Sequence, residues 1–143
     1  MKFQACEDGY FVCLDRGEKV IHSLLEWVEQ RRIESGVITG IGAVMNSRLG
    51  FYHLSQKRYE EKFHAPEAEL ISLSGNISWF TDKPVVHCHV CLGDTEFRAI
   101  VGHLFEAEVA VTVEIYLSVK NERICRTFRP EMGLNLMELG CEF

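Results

Sequence analysis

His87 and His89 stand two residues apart, and His103 follows beyond a Gly93-Asp94-Thr95-Glu96 segment. β-branched and apolar residues flank that segment on both sides, the pattern of a β-hairpin. Residues two apart on a strand share a face, so His87 and His89 point the same way. An odd-numbered loop centred near Thr95 or Glu96 sets His103 opposite one of them on that face. An even-numbered loop sends it to the other face and leaves only a pair. In the odd register three imidazoles from two paired strands converge, which is the donor set of a tetrahedral zinc site with one open position. A divalent metal, zinc or a related ion, held by His87, His89 and His103 is the leading expectation.

The competing reading is a semi-buried histidine cluster with no ion. Val85, Cys91, Ala99, Val101 and Phe105 share the parity of the three histidines and are mostly apolar. Imidazole nitrogens buried among them without a metal, carboxylate or water cost about 1–3 kcal/mol each, which favours the metal. Cys91 lies four residues from His87, about 13 Å along a strand, too far for both to share one ion with His89. Cys88-His89-Val90-Cys91 is formally C-x-x-C, but its cysteines face opposite ways on a strand and lack the helix N-terminus that redox chemistry needs. His22, in a helical stretch, and His53 and His64, at strand ends, read as surface or edge histidines.

Composition narrows the classes. The chain has 143 residues, 47% hydrophobic and 25% charged, with a net charge of −6 from 21 acidic and 15 basic residues. This is enough for one domain spanning 1–143 with a real core. No apolar run reaches a membrane span, and the first residues show neither a basic n-region nor an apolar h-region, so a cytoplasmic location is expected. Six cysteines in apolar strand contexts, Cys141 among them, are expected to act as small buried hydrophobes. The acidic balance opposes generic nucleic-acid binding, which depends on Lys and Arg neutralising phosphates. Arg31-Arg32 and Lys57-Arg58 are isolated pairs and form no basic tract.

The elements that must position the histidines are mostly strands. One helix is expected, with Asp15 as N-cap, Glu18 in a capping box, and Val20, Ile21, Leu24, Leu25 and Val28 as its apolar stripe. Strands are expected near residues 9–14, 36–44, 48–54, 58–64, 69–80, 85–92, 97–105, 109–119 and 123–128. Short turns between consecutive strands indicate an α+β domain, a mostly antiparallel sheet flanked by a few helices. Gly40 and Gly42 allow close backbone approach or a bulge. Ser72–Ser78 reads as a bent strand or a pocket edge. The hairpin is apolar on both faces, with Val86, Cys88, Val90, Ile100 and Leu104 opposite the histidines, so both faces need a cover. The helix supplies one cover, and a neighbouring subunit is expected as the other.

Several segments together resemble the PPC family, the plants and prokaryotes conserved domain in its stand-alone prokaryotic form. They are Leu14-Asp15-Arg16-Gly17-Glu18, the glycine-rich Gly36–Val44, Leu49-Gly50-Phe51-Tyr52, Glu69–Ile77, His87-Cys88-His89 and Gly102-His103-Leu104. The resemblance implies an antiparallel sheet with flanking helices, assembled as a homotrimer. It also implies a fold similar to acetolactate decarboxylase, in which a comparable H-x-H and a later histidine hold zinc. The family's label is "putative DNA-binding", which stems from plant members with AT-hooks beside the domain. This chain has no Arg-Gly-Arg-Pro hook, and Pro66-Glu67-Ala68 stand where the plant domain carries Gly-Arg-Phe. With the net charge of −6, both departures disfavour DNA as a direct partner.

Two functional classes follow. One is a homotrimeric binding or regulatory module whose metal is structural or senses a small-molecule ligand. The other is a metal-dependent enzyme, a lyase or hydrolase acting on a small carbonyl or carboxylate substrate. The enzyme needs a proton-transfer group, for which Glu106, Glu108 and Glu114 are nearest in sequence, and a carboxylate holder such as Arg98 or Arg123. None has a spacing that singles it out, so the module is preferred.

Overall fold

Alternating side chains give this chain its sheet, and two very long strands give the sheet its shape. The computed structural model describes residues 1–140. Its elements are β1 (Lys2–Cys6), β2 (Gly9–Asp15), α1 (Val20–Arg31), β3 (Ser35–His53), a 3-10 turn (Leu54–Gln56), β4 (Arg58–His64), β5 (Ala68–Phe80), β6 (Lys83–Gly93), β7 (Ala99–Lys120), β8 (Cys125–Arg129) and β9 (Leu134–Glu138). The fold is mostly antiparallel sheet, as expected, but the flanking helices reduce to one among the described residues. Among the described residues no helix is long and apolar enough to cross a membrane.

The strand order β1-β2-β7-β3-β5-β8-β9 is joined by β4 on β3 and by β6 on both β5 and β7. Because β3 also pairs with both β5 and β7, these four strands form a closed circuit of ladders. Among the described residues one parallel contact joins Trp79 of β5 to Cys125 of β8. The expected strands 36–44 and 48–54 are one bent strand, β3, and 97–105 and 109–119 are one bent strand, β7. Register shifts between Gly42 and Val44, and on either side of Arg48, absorb the bend without ending the ladder. Gly42 allows it, because a Cβ there would lie 2.2 Å from the Thr112 carbonyl oxygen. β1 and β9 are additional to the expected set. The 123–128 strand starts later, at Cys125, and runs to Arg129.

The helix begins further on than the capping-box reading places it. Its N-cap is Lys19, which makes no side-chain cap bond. Glu18 does accept from the Asp15 backbone N–H at 2.6 Å, but this closes the turn before the helix. The cap comes from another element. Glu106 of β7 accepts from the N–H groups of Ile21 (2.8 Å) and His22 (3.1 Å), so the anion sits at the positive end of the helix. Val20, Ile21, Leu24, Trp27 and Val28 are buried, and α1 lies against β6 and β7. Each such aliphatic side chain contributes about 1.5–3 kcal/mol by leaving water. Leu14, Leu73, Cys88, Leu92, Leu104 and Val109 belong to the same core.

The other side of the sheet stays open. Val101 and Val111 are 67% and 69% exposed, and Phe11, Ile41 and Ile71 are also exposed. The cysteines correct the composition reading. Only Cys88 of those described is buried, Cys6 is exposed, and Cys13, Cys91 and Cys125 lie between. Cys141 falls outside the described residues.

Candidate metal centre

The β6–β7 loop is odd, and that decides the site. Gly93 pairs with Ala99 and His89 with His103, which centres the loop on Glu96. Asp94 builds this turn. One of its carboxylate oxygens accepts from the N–H groups of Glu96 and Arg98, both at 2.9 Å. The other accepts from Arg98 Nε at 3.0 Å, and Phe97 takes a left-handed φ of 59°. His87, His89 and His103 therefore share the face opposite the core, while Val86, Cys88, Val90 and Leu104 point inward.

The three imidazoles meet. Ring centroids are 5.1 Å apart for His87–His89 and for His87–His103, and 5.5 Å for His89–His103. One ring nitrogen from each lies within 4.8 Å of the others. Bonds of about 2.0–2.1 Å to a tetrahedral ion need nitrogens about 3.4 Å apart, a closure that small side-chain rotations supply. His103 Nδ1 is buried with no hydrogen-bond partner among the described residues. An ion, or a group oriented by one, would satisfy it. The donor set fits a divalent metal, and the group could hold one.

Electrostatics suit that role. Burial, helped by Arg126 and His89, lowers the His87 pKa to about 4. Burial, helped by His87, His89 and Arg126, lowers that of His103 to about 4. Both rings are neutral at physiological pH, the form a metal needs. Phe105 (4.8 Å) and Tyr59 (5.1 Å) pack against His103 as an apolar wall. Burial beside Tyr52 raises the Tyr59 pKa, against the opposing pull of Arg126, so Tyr59 stays protonated.

Arg126 is the residue that sequence reasoning missed. Its Nη2 donates to Asn76 Oδ1 at 3.1 Å and lies 3.3 Å from His87 Nδ1. Its Nε donates to Ser78 Oγ at 2.7 Å and its Nη1 to the Asn135 carbonyl at 2.9 Å. The hairpin of β8 and β9 carries it there, and Tyr52 and Lys57 hold the hairpin's far end by donating to the carbonyls of Met132 and Pro130. Nothing in the local pattern Cys125-Arg126-Thr127 signals this, because the placement depends on a parallel contact with β5. The Ser72–Ser78 segment proves to be both bend and pocket edge. The β5–β6 register shifts between Leu70 and Ser72, while Asn76 and Ser78 anchor Arg126.

The other expected residues lie elsewhere. Glu106 caps α1, Glu108 pairs with Lys19 at 2.8 Å, and Glu114 is exposed on β7 opposite Cys13 and Ile41. Arg98 is tied to Asp94 and Glu96, and Arg123 to Glu34. None joins the three histidines. An open concavity of about 860 Å³ on the sheet, lined by Phe11, Ile41, Ser74, Glu114 and Tyr116 among others, also holds none of them. Its lining includes Ser74, the cross-strand partner of His89.

Comparison with known proteins gives the family and the fold. The model of the Plants and Prokaryotes Conserved (PCC) domain matches residues 1–120. A plant- and prokaryote-conserved protein of Pyrococcus horikoshii is 34% identical, with a TM-score of 0.85 and coverage of 96% of this chain and 94% of that one. A metal-containing protein of Archaeoglobus fulgidus is also 34% identical, with a TM-score of 0.84 and 96% of each chain covered. A "putative DNA-binding protein" of Bacteroides thetaiotaomicron is 29% identical, with a TM-score of 0.93 over 96% of each chain. No curated protein matches the sequence.

Proposed function

Given that this chain belongs to the Plants and Prokaryotes Conserved domain family, we propose that it is a homotrimeric, cytoplasmic binding module whose histidines His87, His89 and His103 hold a divalent metal, zinc foremost. The observation that carries the reading is the convergence of three ring nitrogens within 4.8 Å on one face of paired strands. The relative described as metal-containing supports it. An ion held by these three histidines would supply Lewis acidity toward a bound small molecule.

The uncovered sheet face supports self-assembly, and the family resemblance supplies the expectation of three copies. Phe11, Ile41, Ile71, Val101 and Val111 form an exposed apolar surface opposite α1, which a sheet of this kind covers with another layer. A second copy of the chain meets that need. The hairpin 125–138 follows the part matched by the family model and belongs to the same functional domain, since Arg126 joins it to β5 and His87.

DNA is the weaker partner. The family's label makes it possible, but a chain of net charge −6 has little with which to displace counterions from a duplex. An enzyme acting on a small carbonyl or carboxylate remains the second reading. What favours it is the placement of Arg126 beside His87, while Glu106 and Glu108 are already committed to other contacts.

Elemental analysis of untagged protein, with light-scattering mass, tests the main reading. Near-stoichiometric metal per chain and three chains per particle are expected. Metal-free protein that gains none on incubation with zinc, or a monomeric mass, overturns the corresponding half. A mobility shift with micromolar protein at physiological salt would restore DNA.

A further inference from the structure

We propose that Phe97 is the anchor by which one copy of this chain holds the next, its ring seated in the open concavity of the neighbouring copy's sheet. The proposal rests on the self-assembly reading above and names the contact that makes it.

Phe97 stands where the fold alone would not put it. It is 98% exposed, the highest value for any large apolar side chain among the described residues. Its φ of 59° lies in the left-handed region, which glycine or asparagine occupies with less strain. The loop around it is nevertheless held fast. The Phe97 N–H donates to the Asp94 carbonyl at 2.9 Å, and the Asp94 N–H donates to the Arg98 carbonyl at 3.1 Å. The Asp94 carboxylate accepts from Glu96 and Arg98 as well. Exposure and strain at one aromatic residue contribute nothing to the core, which points to a role outside it. A ring presented on so ordered a loop loses little further freedom when it docks.

The hollow that fits this ring is on the same chain. The concavity of about 860 Å³ has Phe3, Phe11, Ile41 and Tyr116 in its walls, and all but Tyr116 are exposed. A phenyl ring seated there takes about 150–250 Å² of surface out of water. Charges at the two rims match. Glu96 and Arg98 flank Phe97, and both are largely exposed. Lys2 and Glu114 stand at the concavity in one row of the sheet, each opposite Cys13. Among the described residues no cation pairs with Glu114, so Arg98 can meet it. Lys2, bonded to Asp15 but 80% exposed, can meet Glu96. Ring and hollow are different patches, so the contact is head-to-tail, and a rotation that closes it makes a ring of copies.

The test follows the full-length protein by sedimentation velocity across a dilution series. Phe97→Gly removes the side chain at a backbone position that suits glycine, so its circular dichroism should match wild type. Its concentration of half-assembly should rise about tenfold or more, as expected for loss of one interface anchor. The photoreactive residue p-benzoylphenylalanine at position 97 then maps the seat. Irradiation should join two chains, with the adduct on peptides carrying Phe11, Ile41 or Tyr116 of the other copy. Equal assembly of wild type and Phe97→Gly, or adducts that fall outside the concavity, overturns the proposal and leaves self-assembly standing. An adduct formed only in lysate, with a different protein, also overturns it. Wild type that stays a monomer throughout the series overturns the self-assembly reading, and the proposal with it.

Discussion

His89 and His103 stand directly opposite each other across the β6–β7 ladder. That register puts His87, His89 and His103 on one face, and every reading of the site depends on it. If the three share an ion, removing one ring leaves two donors and loses about a third of the binding free energy. His89→Ala and His103→Ala should each weaken zinc about 100-fold or more. Competition with a chromophoric chelator measures this directly. Unchanged zinc affinity in either variant would remove that histidine from the ligand set.

The lowered pKa values predict how the metal-free protein responds to acid. In the unfolded chain a histidine titrates near 6.5, whereas His87 and His103 in the fold stay neutral down to about 4. Between these values the unfolded chain binds protons that the folded chain refuses, so acid favours unfolding. The contribution of the two rings is complete above pH 6.5 and is lost as pH falls toward 4. Urea midpoints of chelator-treated protein should drop across that window. The drop should be shallower in His103→Gln, which cannot titrate. Equal pH profiles for wild type and a His87→Gln/His103→Gln double variant would contradict the assignment.

Glu106 offers a contrast between structural and chemical roles. Its carboxylate accepts from the N–H groups of Ile21, His22 and Ala107. Glu106→Ala leaves the first turn of α1 without its cap and should cost about 1–2 kcal/mol in urea denaturation. Metal content should be unaffected. A variant with wild-type stability and no bound metal would place Glu106 in the site after all.

Much of the site was legible in the sequence, because a strand's period of two is a strict rule. Given an odd loop, the shared face of His87, His89 and His103 follows from counting residues. The same rule placed Val86, Cys88, Val90 and Leu104 in the core. What escaped depends on contacts between distant segments. Glu18 has the spacing of a capping box, yet the helix starts at Val20 and is capped from β7 by Glu106. The bends in β3 and β7 read as strand ends, because a bulge interrupts alternation just as a turn does. Arg126 reaches His87 only through the placement of the β8–β9 hairpin, which no local pattern encodes.

Gly50 tests whether the aromatic wall matters to the centre. It lies buried on β3, opposite His103, and a Cβ there would come within 2.5 Å of Phe105 and 2.8 Å of Tyr59. Those two rings pack on His103, so the added methyl must push one of them toward it or away from it. Gly50→Ala should destabilise the fold by about 1–3 kcal/mol, as overpacking does, and should also weaken zinc. Gly93, at the end of the same histidine hairpin, is the control. A Cβ there meets its nearest neighbour, Ile71, at 3.4 Å, an ordinary contact, so Gly93→Ala should leave both properties near wild type. Thermal denaturation and chelator competition on the two variants give the comparison. Loss of stability in Gly50→Ala with zinc affinity intact would show that the wall supports the sheet and not the ligands.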